Sequence, residues 1–410
     1  MEEKKKLFTY IDSATALIKE LETELTRRPA IAPDSGGEGE LDKCVFLADW
    51  LTRKGITCLE RYDAPDSRAK GGVRPNLVAT IAGKDDSKRV WIMSHLDVVP
   101  PGEASLWNSD PWTVIERDGK LIGRGVEDNQ QGLCSSVVAA LALLNAGITP
   151  PHTVKLLFIA DEEEGSHYGI RWLLEQHPHL FNKDDMVLVP DSGDAKGEII
   201  EIAEKNLLWA RFATKGAQTH GSRPDQGINA CLAGADLAIS LHEELSRAFP
   251  DHDPLFEPDY STFQPTKKEA NVPNINTIPG EDVFCMDMRI LPRYPLKTVL
   301  AEIDRVKARI EAKHRVSIAY TVPQSMESQP TLPDTDLFRR LSCAVKAVYG
   351  VDTRPIGIGG GTVAAPLRNK GIAAVVWARI DESAHQPNEH ALISNILGDA
   401  KVMALLMLGV

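Results

Sequence analysis

The sequence lacks the features that mark several large classes of protein. It has no basic excess, since the formal net charge is −12 and the sequence pI is about 5.5. A nucleic-acid binder needs a basic patch for phosphates, so this balance argues against one. No apolar run approaches the roughly 20 residues of a membrane span, and the charged first residues lack the apolar stretch of a signal peptide. We therefore expect neither nucleic acid nor a membrane as a partner.

Cysteine is sparse and irregularly placed. The six cysteines are scattered, and no two of them form a Cys-x-x-Cys pair. We expect reduced thiols in a cytoplasmic protein rather than a disulfide framework. The chain also lacks internal repeats and low-complexity segments. With 410 residues it is too long for one ordinary core, so two domains are expected.

Short apolar segments alternate with segments of helical periodicity over much of the chain. Strands are predicted at 77–83, 89–99, 153–161, 186–193 and 371–380, and helices at 8–28, 40–54, 132–147, 169–176, 336–350 and 391–408. Gly147 is predicted to end the helix that begins at 132. Because the strands are almost wholly apolar, we expect an α/β domain with a mixed, largely parallel sheet flanked by helices on both faces.

The middle of the chain has a different pattern. Strand alternation at 206–216, 282–291 and 316–325 is separated by amphipathic helices at 229–249 and 296–314. This order predicts a smaller α+β domain inserted into the first. We place the catalytic domain at 1–206 and 326–410, and the inserted domain at 207–325.

Polar clusters follow four of the predicted strands directly. They are His95 and Asp97, the acidic run 161–164, Asp191, and His385. A further acid, Asp128, lies in the glycine-bracketed loop GRGVEDNQQG. In open α/β sheets ligands bind at the carboxyl ends of strands, so the sheet would gather these groups at one edge. Each cluster alone could be an ordinary loop or turn. Four such clusters, each directly after an apolar strand, are poorly explained by chance.

This set of side chains suits a metal site. Two imidazoles and at least three carboxylates favour zinc, cobalt or manganese, and exceed what one catalytic zinc normally takes. Two divalent ions bridged by one carboxylate would use them all. A nearby carboxylate that binds no metal could then act as a general base.

The motifs SHLDVVP, GRGVEDNQQG, DEEEGS, PDSG and HQPNEH occur in an order that resembles one known family. It is the di-zinc metallopeptidase family of aminoacylases, acetylornithine deacetylase, succinyl-diaminopimelate desuccinylase and related carboxypeptidases and dipeptidases. The resemblance runs from about residue 75 to 400. It implies that His95 and Asp191 bind one metal, that Glu163 and His385 bind the other, and that Asp128 bridges them. Asp97 would orient His95, and Glu162 would be the general base.

The resemblance also implies a lid domain that often forms a homodimer. Its motifs THGSRP, NTIPG and DMRIL imply substrate-contacting residues in the lid, namely His220, Asn276 and Arg289. The loop GGGT, in the predicted catalytic domain, implies that Gly360 and Thr362 also approach the substrate. His220 would hold the tetrahedral intermediate, and the Arg289 fork suits a substrate carboxylate. The alternatives are a surface turn for His220 and a structural ion pair with Asp287 for Arg289. One departure is clear: where the family usually has Lys-Gly after the bridging acid, this chain has Gln130 and Gln131.

Three functions remain open from the sequence. The first is a metal-dependent hydrolase that cleaves an amide bond of an N-acyl amino acid or short peptide with a free carboxylate. The second is a two-metal phosphoesterase, which would need more basic residues to hold phosphate, whereas the region of the site is acid-rich. The third is a non-catalytic member of the fold, although every expected site position is filled.

Overall fold

A computed structural model describes residues 2–409. The α-helices are α1 (Glu2–Asp12), α2 (Thr15–Thr26), α3 (Leu41–Arg53), α4 (Gln130–Ala146), α5 (Ile170–Gln176), α6 (Ala230–Ala248), α7 (Leu296–His314), α8 (Asp336–Tyr349), α9 (Ala364–Asn369) and α10 (Ile393–Leu408). The strands are β1 (Leu59–Pro65), β2 (Val73–Ile81), β3 (Asp85–His95), β4 (Ile115–Arg117), β5 (Lys120–Ile122), β6 (His152–Ile159), β7 (Met186–Asp194), β8 (Ile199–Glu204), β9 (Asn206–Lys215), β10 (Thr219–His220), β11 (Thr262–Lys268), β12 (Thr277–Ile278), β13 (Glu281–Ile290), β14 (Ser317–Met326), β15 (Arg354–Ile358), β16 (Ala373–Arg379) and β17 (His390–Leu392).

The chain divides into two compact units. The first runs through Ile202, resumes over Thr331–Ile356 and continues from Pro366 onward. The second comprises Ala203–Pro330 and Gly357–Ala365. The sequence prediction placed its boundaries at 206/207 and 325/326, and had no counterpart of the 357–365 segment.

The first unit is built on an eight-stranded mixed sheet in the order β1-β2-β6-β3-β7-β16-β8-β15. Its four central strands, β6, β3, β7 and β16, are parallel to one another, while β1, β2 and β8 join antiparallel. The predicted fold class is therefore confirmed. Parallel central strands matter for function because their carboxyl ends all meet at one edge of the sheet.

Burial explains why the central strands are almost wholly apolar. Residues 186–190 of β7 and 374–378 of β16 are buried, as expected for strands covered by helices on both faces. The helix α4 is buried at every position from Gln130 to Leu143, and packs against α1, α10 and β3. It ends at Ala146 with Gly147 in the left-handed region at φ 65°, as the sequence predicted.

The second unit has its own core. A four-stranded antiparallel sheet in the order β11-β13-β9-β14 packs its apolar side chains against α6 and α7. Leu237, Leu241 and Leu245 of α6 recur at helical spacing and are fully buried. This is the smaller α+β arrangement that the sequence predicted, with β11 as an additional strand.

One prediction for the N-terminal region was wrong. The single helix expected at 8–28 is two helices, α1 and α2, separated at Ser13 and Ala14. The hydroxyl of Ser13 donates a hydrogen bond to the Tyr10 carbonyl at 2.7 Å, so this side chain bonds the backbone locally at the break.

None of the helices within residues 2–409 combines the length and the apolar character that a membrane span requires.

Candidate metal centre

The parallel strands deliver most of the predicted ligands to one edge of the sheet. His95 is the last residue of β3, the acidic run 161–164 follows β6, and Asp191 lies near the carboxyl end of β7. His385 lies in the loop after β16, and Asp128 lies in the loop between β5 and α4. Gly132 in α4 permits a close approach here, since a Cβ at this position would lie 2.3 Å from the Pro190 carbonyl oxygen.

Asp128 contacts both histidines, one through each carboxylate oxygen. Its Oδ1 lies 2.8 Å from His95 Nε2, and its Oδ2 lies 3.0 Å from His385 Nε2. His95 Nε2 also lies 3.4 Å from Asp191 Oδ1, and His385 Nε2 lies 3.1 Å from Glu163 Oε2. The five predicted ligands therefore form one continuous cluster with Asp128 at its centre. A carboxylate shared in this way has the placement that a bridge between two ions needs.

The donor atoms fit divalent cations. One atom from each of His95, Asp128 and Glu163 lies within 4.8 Å of the others, and the same holds for His95, Glu162 and Asp191. Among residues 2–409, no lysine or arginine forms an ion pair with any of these four carboxylates. Clustered, partly buried acids of this kind need a compensating charge. Imidazole and carboxylate donors match zinc, cobalt and manganese.

The electrostatics of the cluster point the same way. Burial lowers the pKa of His95, but the carboxylates of Asp191 and Asp128 outweigh it and raise that pKa well above its usual range. Hydrogen bonds to Asp128 and Glu163 raise the pKa of His385 to about 10. Both shifts favour the protonated imidazole when no cation is bound. A bound cation replaces these protons, because only the neutral imidazole can bind a metal.

Glu162 lies in this cluster and is half-buried. Burial raises the pKa of Glu162 well above its usual range, and the carboxylates of Asp191 and Glu163 add to the rise. Its backbone N–H donates to Asp97 Oδ1 at 3.1 Å, and the Glu163 N–H donates to Asp97 Oδ2 at 3.0 Å. Asp97 thus holds the backbone that carries both glutamates. Its carboxylate is 3.6 Å from His95 Nδ1, while its carbonyl oxygen is 3.0 Å from the same atom.

Two supporting residues were not predicted. Asn129 donates from Nδ2 to Asp191 Oδ1 at 2.5 Å and to the Pro190 carbonyl at 2.7 Å, which fixes one proposed ligand. Arg74 is fully buried and pairs with Glu40 and with Asp161, the residue before Glu162. The sequence offered a signal for Asn129, which directly follows the bridging acid. It offered little for Arg74, whose partners are distant along the chain.

The predicted substrate-contacting residues all lie in the second unit. His220 is exposed and its Nδ1 lies 2.8 Å from Ser222 Oγ, while Asn276 is exposed and accepts from Asn274 Nδ2 at 2.5 Å. In the Gly-rich loop, Thr362 donates to Glu204 at 2.6 Å, and Gly360 is exposed.

Arg289 makes the ion pair that the sequence offered as an alternative. Its Nε donates to Asp287 Oδ1 at 2.7 Å and its Nη2 to Asp287 Oδ2 at 3.0 Å. Its Nη1 donates to the Gly359 carbonyl at 2.6 Å. A substrate carboxylate would therefore have to share or displace these partners.

Comparison with known proteins shows which family the chain belongs to. Residues 91–409 match peptidase family M20/M25/M40. Over 404 residues the chain is 38% identical to an uncharacterized metallohydrolase of Methanococcus maripaludis, covering 93% of this chain and 96% of that protein. Over 388 residues it is 26% identical to succinyl-diaminopimelate desuccinylase of Xanthomonas campestris, with 93% and 96% covered.

The fold agrees as well. The chain superposes on an M20 family metallo-carboxypeptidase from Sulfolobus solfataricus with a TM-score of 0.73 at 19% identity, covering 96% of this chain and 99% of that one. The family match extends over most of the chain and includes all five proposed ligands. The protein is thus a member of peptidase family M20/M25/M40 and a metal-dependent hydrolase of peptide or amide bonds.

Proposed function

We propose that this enzyme uses two divalent cations, zinc by preference, to hydrolyse an amide bond in an N-acyl amino acid or a short peptide with a free carboxylate. The observation that carries the proposal is Asp128, whose two oxygens contact His95 and His385 separately. His95 and Asp191 would hold one cation, and Glu163 and His385 the other. When bound, such a pair acidifies water and polarises the scissile carbonyl.

Glu162 is the general base of the proposed reaction. Its carboxylate takes a proton from the attacking water, whose oxygen bonds to the amide carbon. The C–N bond then breaks, and Glu162 returns the proton to the departing amine nitrogen. The products are a carboxylic acid and an amine. Asp97 supports this step by fixing the Glu162 and Glu163 backbone N–H groups, and Asp97 is also proposed to orient His95.

The substrate assignment depends on the second unit and on the relatives. His220, Asn276, Arg289, Gly360 and Thr362 are proposed to contact the substrate, with Arg289 binding its carboxylate. One relative is named a succinyl-diaminopimelate desuccinylase, and its substrate is an N-acyl amino acid by name. Membership of a peptidase family favours amide hydrolysis over phosphoester hydrolysis. The acid-rich site, with no paired lysine or arginine among residues 2–409, is also unsuited to a phosphate group.

A homodimer in the cytoplasm is part of the proposal. Leu232 and Ile239 lie two turns apart on one face of α6 and are 59% and 60% exposed. We propose that a second copy of the chain covers these two side chains, which would remove their apolar surface from water. All six cysteines are free thiols, which suits a reducing compartment. Light scattering on the purified protein and on Leu232→Glu tests the dimer: the wild type should have twice the mass of the variant.

The experiment that tests the activity uses protein reconstituted with zinc, cobalt or manganese. A panel of N-acyl amino acids and dipeptides is assayed for amine release, with a phosphomonoester in parallel. We expect release from at least one N-acyl amino acid or dipeptide, its loss after chelation, and no phosphate release. Hydrolysis of the phosphomonoester alone would overturn the proposal, as would amide hydrolysis that is unchanged by complete removal of metal.

A further inference from the structure

Two irregular loops carry the residues that join the two halves of the metal centre. The bridging loop, residues 123–129, carries Asp128, and the histidine loop, residues 380–389, carries His385. In the histidine loop Glu382, His385 and Asn388 have φ values of 58°, 62° and 62°. This left-handed region is uncommon for residues other than glycine. Neither loop belongs to a strand or an α-helix, so few regular backbone hydrogen bonds hold them, and side-chain hydrogen bonds contribute to their conformation.

Glu389 reaches from the histidine loop into the bridging loop. Its carboxylate is fully buried and accepts hydrogen bonds from the backbone N–H groups of Gly125 at 3.1 Å, Glu127 at 3.0 Å and Asp128 at 3.1 Å. Arg124 Nη1 donates to the same carboxylate at 2.6 Å. One side chain therefore satisfies three backbone N–H groups of the bridging loop, including that of Asp128 itself.

Glu127 reaches in the opposite direction. It is 5% exposed, and its Oε1 accepts from the Asp381 N–H at 2.7 Å. Its Oε2 accepts from the Ser383 N–H and, at 2.8 Å, from the Ser383 hydroxyl. The Glu127 carboxylate, although next to Asp128 in sequence, is therefore hydrogen-bonded by three donors of the histidine loop.

We propose that Glu127 and Glu389 are a reciprocal pair of positioning residues for the two cations, an inference that rests on the proposed function. His385 is 52% exposed, and its Nε2 contacts the other proposed ligands Asp128 and Glu163. Its position therefore depends on the backbone of the histidine loop, which Glu127 holds. The position of Asp128 depends on the bridging loop, which Glu389 holds. The two glutamates thus set the separation between the shared carboxylate and the ligand of the second cation.

The two positions predict different defects. In Glu127→Gln an amide NH2 group, which cannot accept a hydrogen bond, replaces one carboxylate oxygen and faces the donors of the histidine loop. We therefore expect the histidine loop to shift. We expect one of the two zinc-binding events to weaken by roughly 10- to 100-fold, the range for residues that support metal ligands, while the other changes little. In Glu389→Gln both events weaken, because Asp128 serves both cations. The kcat should fall more than KM rises in each variant.

The experiment is calorimetric titration of the metal-free protein with zinc, together with the absorption spectrum of the cobalt-loaded protein. Glu201→Gln is the matched control, since Glu201 is also buried and charge-paired, with Arg368, but contacts none of the proposed ligands. We expect the control to bind both zinc ions and to show the cobalt spectrum of the wild type. If Glu389→Gln does not fold, Glu127→Gln decides the question.

The outcomes separate this inference from the proposed function. A folded Glu127→Gln variant with two wild-type zinc affinities and an unchanged cobalt spectrum would overturn the positioning role and leave the proposed hydrolase intact. Equal weakening of both sites in Glu127→Gln and in Glu201→Gln would also overturn it, as a general loss of stability. A wild-type protein that binds no zinc would overturn the proposed function instead.

Discussion

Asp128 Oδ2 lies 3.0 Å from His385 Nε2, although the two residues belong to loops that are far apart in the sequence. Hydrogen bonds to Asp128 and Glu163 raise the pKa of His385 to about 10. In the metal-free protein this imidazole therefore carries a proton at pH 7 and stabilises the neighbouring carboxylates. That proton has to leave before His385 can bind a cation.

Metal binding should therefore release protons, and the metal-free protein should lose stability at high pH. The pKa of His385 is raised on folding, so its contribution to stability is fully present below about pH 6.5 and is lost as the pH rises through about 10. We expect the unfolding temperature of the metal-free protein to fall over this window. Zinc affinity should rise with pH over the same range. Calorimetry in buffers of different ionisation enthalpy would count the released protons.

His385→Ala provides the check on this assignment. The variant should lose at least one equivalent of metal by elemental analysis, and its metal-free form should show a weaker dependence of unfolding temperature on pH. A variant that keeps both metal equivalents and the full pH dependence would contradict the assignment of His385 as a ligand.

Glu162→Gln should separate metal binding from turnover. The substitution keeps the size of the side chain but removes its capacity to take a proton, so kcat should fall by roughly 100- to 10,000-fold with both metals retained. Glu164→Gln is the matched control, because Glu164 is exposed and, among residues 2–409, its carboxylate accepts a side-chain hydrogen bond only from Ser35, at 2.5 Å. If Glu162→Gln instead lost a metal ion, the result would indicate that Glu162 is a ligand. A near-normal rate of turnover would contradict its assignment as the general base.

Asn129→Ala should weaken the site that contains Asp191. The Nδ2 of Asn129 donates to Asp191 Oδ1 at 2.5 Å, and without it this carboxylate is free to turn away from His95. We expect a roughly 10-fold or greater loss of affinity for one zinc ion. Gln131→Ala is the comparison, since Gln131 donates to the Arg379 carbonyl and Asp399 rather than to a proposed ligand. Equal zinc affinities in the two variants would argue against the role of Asn129.

Asp399→Asn should stabilise the protein at neutral pH. Burial raises the pKa of Asp399 to about 7, so folding favours its protonated form. The wild-type free energy of unfolding therefore contains a contribution that falls as the pH rises from about 4 to about 7. An asparagine can donate to Tyr349 OH, which lies 2.8 Å from Asp399 Oδ1. We expect the unfolding temperature of the variant to exceed that of the wild type by roughly 2–4 °C at pH 8, and a pH-independent difference would contradict this.

Much of the arrangement could be predicted from the sequence because most of the proposed ligands follow apolar strands. The carboxyl end of a buried parallel strand is a defined place, so His95, Asp191 and the acidic run were expected at one edge once β3, β6 and β7 were recognised. The smaller α+β unit was also visible, since its helices have long apolar faces. Helical periodicity of this kind can be recognised in the sequence without any knowledge of tertiary contacts.

The supporting contacts could not be predicted in the same way. Glu127 and Glu389 were visible only as acids within the motifs GRGVEDNQQG and HQPNEH, and most of their partners are backbone N–H groups, which every sequence has. Arg74 pairs with acids from two other segments, so no local pattern reveals it. The break between α1 and α2 was missed because apolar residues continue at helical spacing across Ser13 and Ala14.

The most direct test of the whole account is a zinc titration of fully demetallated enzyme, followed by the rate of amide hydrolysis. If His95, Asp128, Glu163, Asp191 and His385 hold a pair of cations that the reaction requires, the rate should be negligible without metal and should saturate at two equivalents per chain. A metal-free sample that hydrolyses the amide as fast as the loaded enzyme would contradict it.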